Sequence, residues 1–186
     1  MRLIICIPKI ENRGVLASLK NNPAVGTGIN VVYVYHLLGE RISYPKGRSN
    51  VLYIGEAMRK SEATGVRFRQ HITPSAEEGA DTGNNFTLSQ YFHAGWNVGL
   101  SIFATDMNRA DRERDLIYAH ISLYGAPPIA QGKIPHDANG RNRTTHIASF
   151  IANNKQAINV ASQVLTKIVA DHDLTSSCAG RAEARR

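Results

Sequence analysis

The carboxylate of Glu113 falls among apolar residues. Turned by about 100° per residue, the stretch 108–124 sets Ala110, Glu113, Leu116, Ile117, His120, Ile121 and Tyr124 on one stripe. Asp111, Arg112, Arg114 and Asp115 point sideways or outward, as surface charges do. A charge on the apolar stripe needs a partner, because an unpaired buried carboxylate is costly. It is either half of an ion pair with an arginine from elsewhere or a metal ligand or general base. Arg67 and His71 stand four residues apart, which on a helix is one face. A guanidinium offers fixed donors to charge developing on a phosphate, and an imidazole can relay a proton. By itself that spacing is a common coincidence. Tyr33, Tyr35 and Tyr53 lie in or at the ends of two strand-like runs, with Tyr33 and Tyr35 on the same sheet face, where tyrosines are ordinarily core.

These side chains have to be held by regular elements. GINVVYVYHLL (28–38) and SNVLYIG (49–55) are rich in Val and Tyr and read as two antiparallel strands joined by the long hairpin GERISYPKGR. NVGLSIFAT (97–105) reads as a third strand, preceded by a polar stretch, ITPSAEEGADTGNN, that reads as a mobile loop. A short helix is expected within 57–71, although Gly65 counts against it. A stronger one covers 108–124, with Asn108 and Asp111 as a capping pair and Gly125, Pro127 and Pro128 as its stop. An amphipathic helix is expected at 145–171, with Ile147, Ile151, Ile158, Ala161, Leu165 and Ile168 on one stripe, before a tail that should fray. The apolar run Leu3–Ile7 is too short for a signal-peptide core and reads as a strand.

The 186 residues suffice for one core with an appendage. No apolar run approaches a membrane span. Cys6 and Cys178 belong to no metal-ligand spacing, so free thiols in a reducing cytoplasm are expected. His136, Asn139 and His146 lack the spacing of a zinc site. The net charge of +7 is uneven: nine Lys or Arg against three Asp or Glu in residues 1–60, and eight against four in 131–186. Basic ends of this kind suit phosphate backbones, so nucleic acid is the expected partner. Arg41, Lys46 and Arg48 in the hairpin are expected to touch the nucleic-acid backbone, and Lys133, Arg141 and Arg143 in GKIPHDANGRNRTTH belong either to a second contact loop or to a plain solvated one.

Taken in order, Val31-Val32-Tyr33, Tyr53-Ile54-Gly55, Arg67 with His71, and Glu113 in the run ERDLI resemble the GIY-YIG endonuclease superfamily. The resemblance covers about residues 28–131, and Tyr53-Ile54-Gly55 matches literally. It implies an α/β (α+β) fold with a small three-stranded antiparallel sheet flanked by helices, an N-terminal extension over 1–27, and a basic loop with a C-terminal helical extension over 132–186. It implies metal-dependent hydrolysis of DNA that leaves a 5′-phosphate, in a restriction-type enzyme or in a repair or mobile-element nuclease. Tyr33 and Tyr53 would sit near the attacking water, Arg67 would stabilise the transition state, His71 would assist proton transfer, and Glu113 would bind one Mg²⁺ or Mn²⁺. Val31 stands where the motif has its first glycine, so Tyr33 is preferred to Tyr35 on phase alone. Gln131 stands near the place of a family asparagine. A homodimer is one expected form, with the apolar stripe of the last helix as its surface if the core leaves that stripe open. A catalytically inactive DNA-binding module on the same fold is the alternative.

Overall fold

A computed structural model describes residues 1–75, 85–106, 108–134 and 143–183, and side chains in the last span from 146 to 170. The polar loop after Ser75 and the stretch holding Arg141, His136 and Asn139 therefore fall largely outside the described residues. A four-stranded antiparallel sheet runs in the order β1 (Arg2–Ile7), β6 (Val98–Ala104), β2 (Val31–Leu37), β5 (Val51–Ala57). The sheet thus has one strand more than expected. The apolar N-terminal run pairs Arg2 with Ala104 and Ile7 with Leu100 along the open edge of β6. That edge would otherwise show water a row of unpaired donors and acceptors.

Every residue of β2 is buried, which explains a sequence with no polar alternation: the strand is covered on both faces. Val31, Tyr33, Tyr35 and Leu37 face Leu16 of α1 (Arg13–Ser18), Val25, Phe68 and Leu88 of α2 (Phe86–His93). Val32 and Val34 face the other way, onto Leu116 and Ile117 of α3 (Arg109–Tyr124) and Leu165 of α5 (Lys155–Glu183). The hairpin between β2 and β5 folds into its own ribbon, β3 (Ile42–Tyr44) and β4 (Gly47–Ser49).

Three expectations about helices change. The segment 57–71 holds a 3-10 helix, Thr64–Gln70, in place of an α-helix. Gly65 is needed there, since a Cβ would lie 2.1 Å from the carbonyl oxygen of Leu19. Asn108 and Asp111 form no capping pair: Asn108 makes no side-chain cap, and Asp111 instead accepts from Arg114 at 2.8 Å. Gly125 does end the helix, in the left-handed conformation at φ 82° that favours glycine. The last helix is two, α4 (Arg143–Asn153) and α5, which runs on through most of the tail expected to fray. At the break the Asn154 side-chain amide donates to the Phe150 carbonyl, which also takes the Asn154 backbone N–H. The stripe of Ile158, Ala161, Leu165 and Ile168 is buried in the same cluster as Leu116 and Tyr118. The surface expected to serve a homodimer is covered by the chain's own core.

Candidate active site

β2 and β5 set the tyrosines. Their register places Tyr33 opposite Gly55 and Tyr35 opposite Tyr53, so all four point to one face. The Tyr33 ring lies across Gly55, where a Cβ would stand 2.5 Å from its Cζ and Oη. Beneath Tyr33 only glycine fits. The ring cannot move aside, being stacked on His71 with centroids 5.0 Å apart and edge-on to Phe68 at 5.1 Å. Gly55→Ala is therefore expected to cost about 1–3 kcal/mol of stability through overpacking. A fall in the urea midpoint with an unchanged slope would show it, and a midpoint equal to wild type would contradict this packing.

His71 ends the 3-10 helix and turns into the core, 2% exposed. The helical face it was expected to share with Arg67 does not exist, because the intervening turn is 3-10. Its two ring nitrogens meet two tyrosines, Nε2 at 3.2 Å from Tyr33 Oη and Nδ1 at 2.8 Å from Tyr35 Oη. Burial, with the Arg67 charge second, pushes its pKa down to about 3, so the ring is neutral with one donor and one acceptor nitrogen. Tyr33 also hydrogen-bonds Tyr53 in the sense that favours the Tyr53 phenolate. The pattern that satisfies all four groups has Tyr35 donating to Nδ1, Nε2–H donating to Tyr33, and Tyr33 donating to Tyr53. Tyr53 alone of the three tyrosines is half-buried and lies at the open end of this chain.

A nearby arginine lowers the pKa of a tyrosine. Arg67 does pull that way, but burial outweighs it, and Tyr33, Tyr35 and Tyr53 all stay above the ordinary phenol range. Glu113 acts on Tyr33 and Tyr53 electrostatically and is raised to about 7, first by burial and then by the neighbouring Glu56. On the same helix Asp115 is buried, against expectation, and pairs with Arg114, whose guanidinium lies 4.5 Å from the centre of the Phe150 ring.

Glu56, Arg109 and Arg59 drew no attention in the sequence. Arg109 opens α3 and pairs through Nε with Glu56, while its Nη1 donates to Asn30 Oδ1 at 3.2 Å. This clasp fixes the start of α3, and with it Glu113, against the end of β5. Glu56 follows directly on the Tyr53-Ile54-Gly55 run, but its partner lies 53 residues away, so no local signal joins them. Gln131 is engaged at the outer edge of β5. Its Oε1 accepts from Ile54 N–H at 3.2 Å and its amide donates to the Lys133 carbonyl at 3.3 Å. One residue earlier, Ala130 N–H donates to the Leu52 carbonyl at 2.9 Å, so residues 130–131 shield the strand that carries Tyr53.

The basic hairpin stands elsewhere. Lys46 N–H donates to the Tyr124 carbonyl, and Tyr44 packs on His120 and Tyr124, which puts Arg41, Lys46 and Arg48 at the C-terminal end of α3. Glu113 and Tyr124 are eleven residues apart, about 17 Å along a helix. His120 reaches Ser49 Oγ at 3.1 Å and the Ala126 carbonyl at 2.7 Å, all within the packed interior, so this Ser–His contact pins the hairpin to α3. Lys133 is exposed beside Gln131; Arg143 opens α4, its side chain outside the described residues, as is all of Arg141.

Family models, curated proteins and solved structures offer no match to this chain. What the residues can do must therefore be argued from their own chemistry. Arg67 and Glu113 act on the ionisation of Tyr33 and Tyr53, and Arg67 on that of His71, so these five residues, drawn from β2, β5, the 3-10 helix and α3, lie near one another. Among the described residues no three His, Cys, Asp or Glu side chains gather to hold a metal. Glu56 lies close enough to disfavour the charge on Glu113, and a divalent cation would offset that. Mg²⁺ is commonly held by one or two carboxylates, with waters and phosphate oxygens making up the rest. With Glu56 engaged by Arg109, Glu113 is the carboxylate that would hold such a cation. No helix among the described residues is long and apolar enough to cross a membrane.

Proposed function

We propose that this chain is a divalent-metal-dependent endonuclease of the GIY-YIG type that hydrolyses DNA phosphodiester bonds. The observation that carries the reading is the meeting of Arg67, Glu113 and the Tyr53–Tyr33–His71–Tyr35 hydrogen-bond chain in one cluster. Hydrolysis of a phosphodiester by in-line attack needs a proton acceptor for the water, positive charge at the nonbridging oxygens and help for the leaving oxygen. Tyr53, at the accessible end of the chain and held above the ordinary phenol range, first gives up its own proton to solvent and then, as the phenolate, takes the proton of the attacking water. Tyr33, held by His71, donates to the Tyr53 oxygen and stabilises the phenolate. Arg67 holds the nonbridging oxygens. Glu113 would hold Mg²⁺ or Mn²⁺, which when bound would supply Lewis-acid stabilisation of phosphate charge. His71 orients the tyrosines, because a ring so buried and so weakly basic does not shuttle protons to water.

The hairpin residues Arg41, Lys46 and Arg48 lie about 17 Å from Glu113 along α3. At a rise of roughly 3.4 Å per base pair they suit backbone phosphates about five pairs from the cut. Lys133, Arg141 and Arg143 are proposed as further DNA contacts. A homodimer that cuts both strands would have to use a surface other than the α5 stripe. The exposed Cys6 thiol suits a reducing cytoplasm.

The test is incubation with supercoiled plasmid and Mg²⁺ at low salt, beside an EDTA control. Nicked or linear product that needs the metal supports the nuclease. Retarded but uncut DNA, across linear and branched substrates, would favour the inactive binding module. The pH dependence has a definite sign. With its pKa raised to about 7, Glu113 holds a proton in acid that a cation must displace. Cleavage at limiting Mg²⁺ is expected to rise about tenfold per pH unit below 7 and to flatten in this component above it. A rate already flat from pH 5.5 upward would contradict it.

A further inference from the structure

Beside Arg67 the surface opens into a cavity of about 270 Å³ lined by Glu56, Ala57, Met58, Arg59, Arg67 and Arg109. At roughly 30 Å³ of liquid volume per water, it has room for a hydrated phosphate group. Three guanidinium groups meet there from three elements: Arg59 just past β5, Arg67 from the 3-10 helix and Arg109 from the first position of α3. The single carboxylate of the lining, Glu56, is engaged by Arg109 Nε, so the lining carries a net charge of plus two.

The arginines are pre-placed. Gln70 Oε1 accepts from Arg67 Nη1 at 3.3 Å and from Arg59 Nη2 at 3.5 Å, and Glu62 takes Arg59 Nη1 at 2.7 Å. The backbone at Arg59 is itself tethered, its N–H to Thr64 Oγ1 and its carbonyl to Gly28 N–H at 2.8 Å. Like charges crowded at a cavity repel one another, and an anion relieves that repulsion. Planar forks are the side chains best matched to phosphate oxygens.

We propose that this cavity is a second phosphate subsite, in which Arg59 and Arg109 hold the phosphate next to the scissile one on the same strand. It rests on the nuclease reading for the source of the phosphate, though not for the anion site itself. Arg67 faces both phosphates, and the strand is gripped on one side of the cut. Cleavage then requires a neighbouring phosphate, so a dinucleotide with a single linkage is a poor substrate.

Two measurements on the full chain test the proposal. In the first, the arginine Nε–H resonances of the wild-type protein are followed by NMR during titration with inorganic pyrophosphate. Saturable shifts of the Arg59, Arg67 and Arg109 signals, reduced in Arg59→Gln, are expected; no shift in any of the three overturns the proposal. In the second, DNA binding is measured against salt. Arg59→Gln and Arg109→Gln are each expected to flatten the slope of log affinity by about one. A duplex with one neutral methylphosphonate beside the cut should weaken wild type but not further weaken Arg59→Gln. Unchanged slopes, or independent effects of linkage and variant, overturn the strand subsite. If the wild type shifts with pyrophosphate and neither binds nor cuts DNA, the nuclease reading falls and the anion site stands with a free phosphate as its ligand. Arg59 is included because its loss leaves no buried carboxylate unpaired, so a failure of Arg109 variants to fold does not silence the test.

Discussion

Replacing Glu113 by Gln is expected to lower the cleavage rate by about 10³-fold or more, the scale set by removing a group that acts on transition-state charge, while leaving the protein folded and more stable at alkaline pH. The second half follows from the sign of the shift. Burial and Glu56 raise the Glu113 pKa from 4.5 to about 7. The folded protein therefore holds a proton there that the unfolded chain gives up, and stability is full below pH 4.5 and lost as pH rises through 7. Gln carries no charge to desolvate. In EDTA at pH 8 the variant should gain about 2 kcal/mol, after allowance for the water that reaches this half-buried group, and at pH 4 the two proteins should nearly coincide. Urea midpoints at both pH values, beside plasmid nicking, separate chemistry from folding. A variant that cuts like wild type ends the proposed role of Glu113. One that is dead and also less stable at pH 8 would point instead to a structural ion pair. A gain in stability with a loss of activity is the pattern of a site kept at a cost to the fold.

Arg67→Ala is expected to reduce kcat by about 10²–10³-fold with a much smaller change in KM, because a guanidinium aimed at the nonbridging oxygens acts mainly on charge that develops during reaction. Lys should restore little, since it offers a point charge where two fixed donors are wanted. The same substitution removes the positive charge that pulls the Tyr33 and Tyr53 pKa values down and helps to keep His71 neutral. The activity that remains should therefore shift to higher pH than in wild type. Single-turnover rates between pH 6 and 10 measure both effects. Full activity in Arg67→Lys, or an unshifted profile in Arg67→Ala, would remove Arg67 from the chemistry and leave it as part of the cavity wall.

Much of this site could be read before any coordinates. Tyr53-Ile54-Gly55 is a local string, and local strings survive in the sequence whatever the fold. Glu113 declared itself through helical periodicity, because an acid on an apolar stripe is anomalous at 3.6 residues per turn wherever the helix packs. The same reasoning misplaced Asp115: periodicity assigns one buried face, and α3 is covered by the sheet on one side and by α4 and α5 on another. Arg67 and His71 were paired on the assumption of an α-helix, whereas close approach of Gly65 to the Leu19 carbonyl goes with the tighter 3-10 turn that separates them.

By itself the sequence determined the strand pair that carries the tyrosines, the helix that carries the glutamate, and the basic, α+β character of the chain, all consequences of residue type and short-range period. Only the tertiary structure decided which groups touch. It set β1 at the edge of the sheet, bound Arg109 to Glu56, spent Gln131 on the backbone of β5, covered the α5 stripe and gathered three arginines around one cavity. The physical reason is range. A propensity or a helical period is felt over one turn or one strand, while an ion pair between residues 56 and 109 exists only after the chain between them has folded.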